Sequence, residues 1–140
     1  MQFRQNGVVG PEAAADLLDV LLRRLKKCHE VNRVLRQERD AARAGERTAG
    51  GHLPELRSRL QEQMAALENE YQRARRNVAR QVGLDDMDFV TLLGCLTPEP
   101  AAFLRRAGNE LAAAGKEMTA LREEIEVELS RRSAEMELPV

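Results

Sequence analysis

The chain of 140 residues has no tryptophan, one tyrosine and three phenylalanines. With so few large rings, a core must be filled by aliphatic side chains, which points to long helices packed side by side. Cysteine is almost missing as well. Cys28 and Cys95 both lie among apolar residues, which excludes a disulfide framework and fits reduced core thiols. The only histidines, His29 and His52, have no second histidine at ligand spacing, and no Glu-x-x-His occurs, so neither a metal centre nor a di-iron bundle is expected. Phosphate loop, dinucleotide fingerprint and Gly-x-Ser-x-Gly elbow are all missing. Cys28 and His29 are adjacent, and helix neighbours point about 100° apart, so they do not pair as nucleophile and base. The expectation is a protein that is not an enzyme and uses no cofactor. Long hydrophobic runs are also lacking. The longest nearly apolar stretch, residues 89–96, is too short to span a bilayer, and residues 1–10, with no apolar run beyond Val8-Val9, are not expected to act as a signal peptide. A cytoplasmic protein without membrane insertion is expected.

What the chain has in quantity is charge, at 32% of residues, with a net charge of only −1. The distribution is uneven. Residues 1–84 hold 16 Lys and Arg against 11 Asp and Glu, whereas residues 85–140 hold 6 against 12. The basic half interleaves its arginines with Glu30, Glu38, Asp40, Glu62, Glu68 and Glu70, which suits a solvated helix face rather than a nucleic-acid interface. No nucleic-acid partner is expected.

Hydrophobic periodicity divides the chain into an all-α arrangement. Residues 1–10 are expected to be disordered. Gly10-Pro11 opens a first helix over 11–44, whose stripe of Leu17, Leu18, Leu21, Leu22, Leu25, Cys28, Val31, Val34 and Leu35 is wide enough for two neighbours. Gly45, Gly50 and Gly51 break the helix, and the short break implies an antiparallel hairpin. A second helix spans 54–82, with Gly83 as its C-cap and Leu84 after it. Asp85 and Asp86 are placed to cap a short connector helix over 86–96. Thr97-Pro98-Glu99-Pro100 starts a fourth helix over 98–132, and residues 133–140 are expected to fray. The result is an elongated helical bundle or coiled coil in a single domain.

The fourth helix carries the functional expectation. Leu104, Ala107, Leu111, Ala114, Met118, Leu121 and Ile125 are spaced 3, 4, 3, 4, 3, 4, the seam of a helix lying along another. Gly108 and Gly115 interrupt it, each costing about 1 kcal/mol of helix propensity relative to alanine. The half before Gly115 has the wide first-helix stripe to cover. The half beyond it is flanked by Glu123, Glu124, Glu126 and Glu128 and has no evident place to dock. Gly115 is therefore expected to be a joint, with a partner-binding arm beyond it.

This layout resembles the FlgN family of flagellar export chaperones, which serve hook–filament junction proteins. The likeness covers residues 13–132 and includes a local pattern at the end of the second helix: Leu67-Glu68, then Arg73 to Arg76, then Val82-Gly83-Leu84. The resemblance implies a cytoplasmic type III secretion chaperone. Such a chaperone binds the C-terminal helical segment of its junction-protein substrate and presents it to the export apparatus. It also implies partner binding through the C-terminal helical part, at positions matching Leu111, Met118, Leu121, Ile125 and Leu129. The alternative from the 3.5-residue period alone is a structural coiled-coil module that homodimerises or scaffolds a larger complex.

Overall fold

The central helix of the fold is the first. In the computed structural model, which describes residues 9–45 and 51–137, four α-helices are seen: α1 (Pro11–Arg43), α2 (Leu53–Gln81), α3 (Phe89–Gly94) and α4 (Pro98–Glu137). Helix α1 packs along both α2 and α4, as its wide stripe requires. Ion pairs fix the directions. Arg23 reaches Glu70 and Glu38 reaches Arg57, so α2 runs antiparallel to α1. Arg36 reaches Glu117 and Arg43 reaches Glu124, so α4 runs parallel to α1.

Two apolar clusters fill the space between the three long helices. At the α3 end, Leu17, Val20 and Leu21 meet Tyr71 and Val78 of α2 and Leu104 and Ala107 of α4, with Leu92 of α3 closing the base. Further along, Leu25, Cys28, Val31 and Leu35 meet Leu60 of α2 and Ala114, Met118 and Leu121 of α4. Leu111 touches both clusters. Among the described residues Tyr71 is the one buried aromatic, so the core is aliphatic. The Tyr71 ring also lies under Arg24, 4.8 Å from its centroid, which favours the cation at the rim of the core.

The helix ends follow local chemistry. Gly83 has φ +83°, the Gly83 amide donates to the Arg80 carbonyl, and Leu84 N–H donates to Ala79 O at 2.9 Å. This is the glycine-terminated ending expected for α2. Gly45 likewise takes φ +76° after α1. Helix α3 is shorter than the expected 86–96, and its cap is Asp88, whose Oδ1 accepts from Thr91 N at 2.7 Å. Asp86 is engaged elsewhere: it takes a bidentate pair from Arg75 (3.0 and 3.1 Å) and the Met87 amide. These contacts, Arg75 foremost, hold the Asp86 carboxyl below its ordinary value, and the Thr91 amide does the same for Asp88. Both therefore stay ionised and support the α2–α3 connection at neutral pH. That support is lost as pH falls through their depressed values.

Three other expectations are corrected. Val9 is buried in the first cluster and Gly10 N donates to Gln81 Oε1 at 2.7 Å, so these two residues of the expected disordered segment are held in place; residues 1–8 lie outside the described residues. Helix α4 runs on to Glu137 instead of ending at 132. Arg131 bridges Glu128 and Glu135 along that last stretch, and Arg132 donates to Gly45 O at 3.2 Å, tying it to the end of α1. Residues 138–140 of the expected frayed tail lie outside the described residues. Finally, Gly115 is not a joint, because α4 continues unbroken through Gly108 and Gly115. Burial of the flanking seam outweighs two residues' loss of propensity.

The two glycines differ in what surrounds them. A Cβ on Gly108 would stand 2.9 Å from Cε2 of Phe89, so the missing side chain admits the α3 ring; at Gly115 nothing lies within 4 Å. Gly115→Ala should therefore raise the unfolding free energy by about 0.5–1 kcal/mol in urea titration. Gly108→Ala gains the same propensity but must displace Phe89, and a net loss of about 1 kcal/mol is expected. Equal stabilisation by both would show that Phe89 does not sit against Gly108.

Candidate partner-binding surface

The seam of α4 is occupied within the chain. Met118 is 6% exposed and Leu121 3%, both buried in the second cluster along α1. This overturns the expectation that the stretch beyond Gly115 has nowhere to dock: residues 25–35 of α1 present apolar surface there, and Leu53 and Leu60 of α2 join the same cluster. Leu111 and Ile125 are half-buried on the same clusters. Of the five expected binding positions, only Leu129 is openly exposed, at 54%. The heptad seam faces α1, so a homodimer would need another surface.

A polar rail accompanies this seam along the α1–α4 junction. Asn32, wholly buried, donates from Nδ2 to Ala114 O at 3.0 Å and to Glu117 Oε1 at 3.4 Å. Arg36 takes Glu117 at 2.8 Å, Arg39 and Arg43 converge on Glu124, and Arg43 also faces Glu128. Glu117, Glu124 and Glu128 of the fourth helix thus answer the arginines at the C-terminal end of α1, whereas Glu123 and Glu126 are exposed. Asn32 itself carries no functional signal in the sequence beyond its place in the stripe, four residues after Cys28 and three before Leu35. Cys28 is buried, and desolvation raises its thiol above its ordinary value, which leaves it a poor nucleophile.

Toward the other end of the same junction the rail gives way to apolar surface. Phe103 is 47% exposed with Leu18 half-buried beside it, and Leu22, one turn after Leu18 on α1, is 48% exposed. Leu18, Ala15 and Pro11 of α1 and Phe103, Pro100 and Glu99 of α4 line a shallow cavity of about 210 Å³. The side chains are there because α1 and α4 run parallel and bring two N-terminal ends together. Proline at each start (Pro11; Pro98 and Pro100) is compatible with a first turn and adds no polar donor to the groove. A second cavity, about 290 Å³, opens between α2 and α4 beside Ile125, but Arg57, Gln61, Arg122 and Glu126 ring it with polar groups. The first groove is the better place for an apolar helix face.

Sequence reading placed the binding surface on α4 alone, and Leu18, Leu22 and Phe103 were legible only as helix residues. Phe103 falls one position before the seam and Leu22 lies within the α1 stripe, so nothing in the spacing marks them as uncovered. Among the described residues there is no group of three His, Cys, Asp or Glu placed to hold a metal ion, and no helix is long and apolar enough to cross a membrane. No family model, curated protein or solved structure matches the chain, so its surface chemistry is the ground for a functional reading.

Proposed function

We propose that this protein is a helix-binding chaperone of the FlgN-like type. In this reading it works in the cytoplasm as a non-enzymatic carrier that holds an amphipathic helix of a flagellar hook–filament junction protein before type III export. The observation that carries the reading is the groove lined by half-buried Leu18 and exposed Phe103, with exposed Leu22 one turn further along α1, an aliphatic and aromatic surface held on two ordered helices. Covering a half-exposed leucine or phenylalanine contributes roughly 1–1.5 kcal/mol, and the apolar face of the bound helix contributes in the same way. After association costs such an interface is weak and reversible, as a carrier that must release its cargo requires. The substrate-binding positions implied by the family likeness are reassigned accordingly: Met118 and Leu121 hold α4 in place, and the groove takes the cargo.

The test is capture from native lysate with a photo-crosslinking residue at position 22 or 103. Recovery of a junction protein or export component is expected. Its absence from the crosslinked products would defeat the proposal. Leu22→Ser with Phe103→Ser should abolish capture while leaving the helical circular dichroism unchanged. If Leu129→Ser abolishes capture instead, the cargo binds the exposed end of α4.

A further inference from the structure

Eight of the seventeen arginines among the described residues are answered by an acid. Arg23, Arg24, Arg36, Arg39, Arg43, Arg57, Arg75 and Arg131 each have a carboxylate within salt-bridge distance. Among the nine that are not, Arg73, Arg76 and Arg80 stand together on one face of a single helix. No described carboxylate lies within 4.0 Å of any of them, and all three are exposed. They stand at i, i+3 and i+7 on the outer face of α2, opposite the buried Tyr71, Ala74 and Val78. Three like charges at that spacing disfavour the helix, and Asp86, whose carboxyl feels Arg76, is already engaged by Arg75. Asn69 and Asn77 complete a face with donors and no acid.

We propose that Arg73, Arg76 and Arg80 form a docking strip for a short acidic helical segment of a partner protein. The strip is about 10 Å long, from seven residues at 1.5 Å each. Along the same face the next exposed acid before it is Glu62, three turns away, and Asp85 follows the helix end. A polynucleotide laid along α2 would run onto these acids, whereas a helix carrying three carboxylates at matching spacing fits between them. Guanidinium groups suit the role because each offers a planar pair of donors to a carboxylate. The strip lies on α2, away from the α1–α4 groove, so it stands whether or not the chaperone reading holds.

The experiment is fluorescence anisotropy on the full chain. One probe is a labelled helical peptide with glutamates at i, i+3 and i+7, and the other is a labelled single-stranded oligonucleotide. Saturable peptide binding that weakens as salt rises is expected. The triple variant R73Q/R76Q/R80Q should lose about tenfold in affinity. The variant R33Q/R105Q/R106Q, with the same change in net charge, should bind within about twofold of the parent. Circular dichroism confirms that each variant is folded. No peptide binding by the parent, or equal losses in both triple variants, would overturn the proposal. Tighter binding of the oligonucleotide through the same three arginines would overturn the assignment to an acidic peptide.

Discussion

Leu104→Ala and Leu121→Ala are each expected to lower the unfolding free energy by about 2–5 kcal/mol, and Leu129→Ala by less than about 1 kcal/mol. All three leucines lie on α4, and on helix periodicity alone they would be expected to matter similarly. Their surroundings separate them. Leu104 is fully buried against Leu17 and Leu92, and Leu121 is 3% exposed among Leu25, Cys28 and Leu35. Truncating either removes its transfer free energy and leaves a cavity that long, aligned helices cannot easily collapse. Leu129 is more than half exposed and leaves no void. Urea titration followed by circular dichroism gives the three values. A Leu121→Ala variant as mild as Leu129→Ala would mean that the far half of α4 is not docked in solution.

The second large effect is expected at Asn32. Asn32→Asp should destabilise the fold by about 3–5 kcal/mol at neutral pH, while Asn32→Leu should stay within about 1 kcal/mol of the parent. The asparagine presents a donor to Ala114 O and Glu117, and its Oδ1 has no partner among the described residues. Aspartate at that place loses the donor and sets a buried charge against a carbonyl oxygen and a carboxylate. Leucine strands little, because Arg36 still holds Glu117 and Ala114 O still serves its own helix. The pH dependence separates charge from shape. Burial and the facing oxygens raise the folded-state pKa of the new aspartate above its unfolded value of about 3.9. The folded protein therefore binds the proton more tightly than the unfolded one. The defect is smallest below the unfolded pKa and grows as pH rises through the raised one. A destabilisation independent of pH would show that the introduced carboxylate escapes to solvent.

If the leucine variant keeps its stability, Asn32 serves alignment rather than stability. A buried polar residue in an otherwise apolar seam fixes which residues of two parallel helices lie side by side. Here it sets Ala114 beside Asn32, and the arginine–glutamate rail follows in step. That alignment also brings Phe103 level with Leu18 and so builds the candidate groove. The polar contact at the middle of the helix pair and the apolar surface near its start are thus linked through a rigid α4.

Much of this architecture could be read from residue identities. The 3.6-residue stripes of α1 and α2, the seam of α4, the prolines in first turns and Gly83 with Leu84 after α2 are local features, and local backbone preference decides them. The two charge blocks, basic then acidic, could be counted but not paired. Only packing could say that Glu117 and Glu124 answer Arg36, Arg39 and Arg43, since those partners lie about 80 residues apart in the chain. The same holds for Gly115. Its cost to an isolated helix is real, but the surface of α1 along which α4 packs belongs to a distant stretch. An amphipathic pattern shows that a helix has a sticky face. Whether that face meets its own chain or a partner depends on what the fold sets against it. Here the fold covers Met118 and Leu121 and leaves Leu22 and Phe103 in the open.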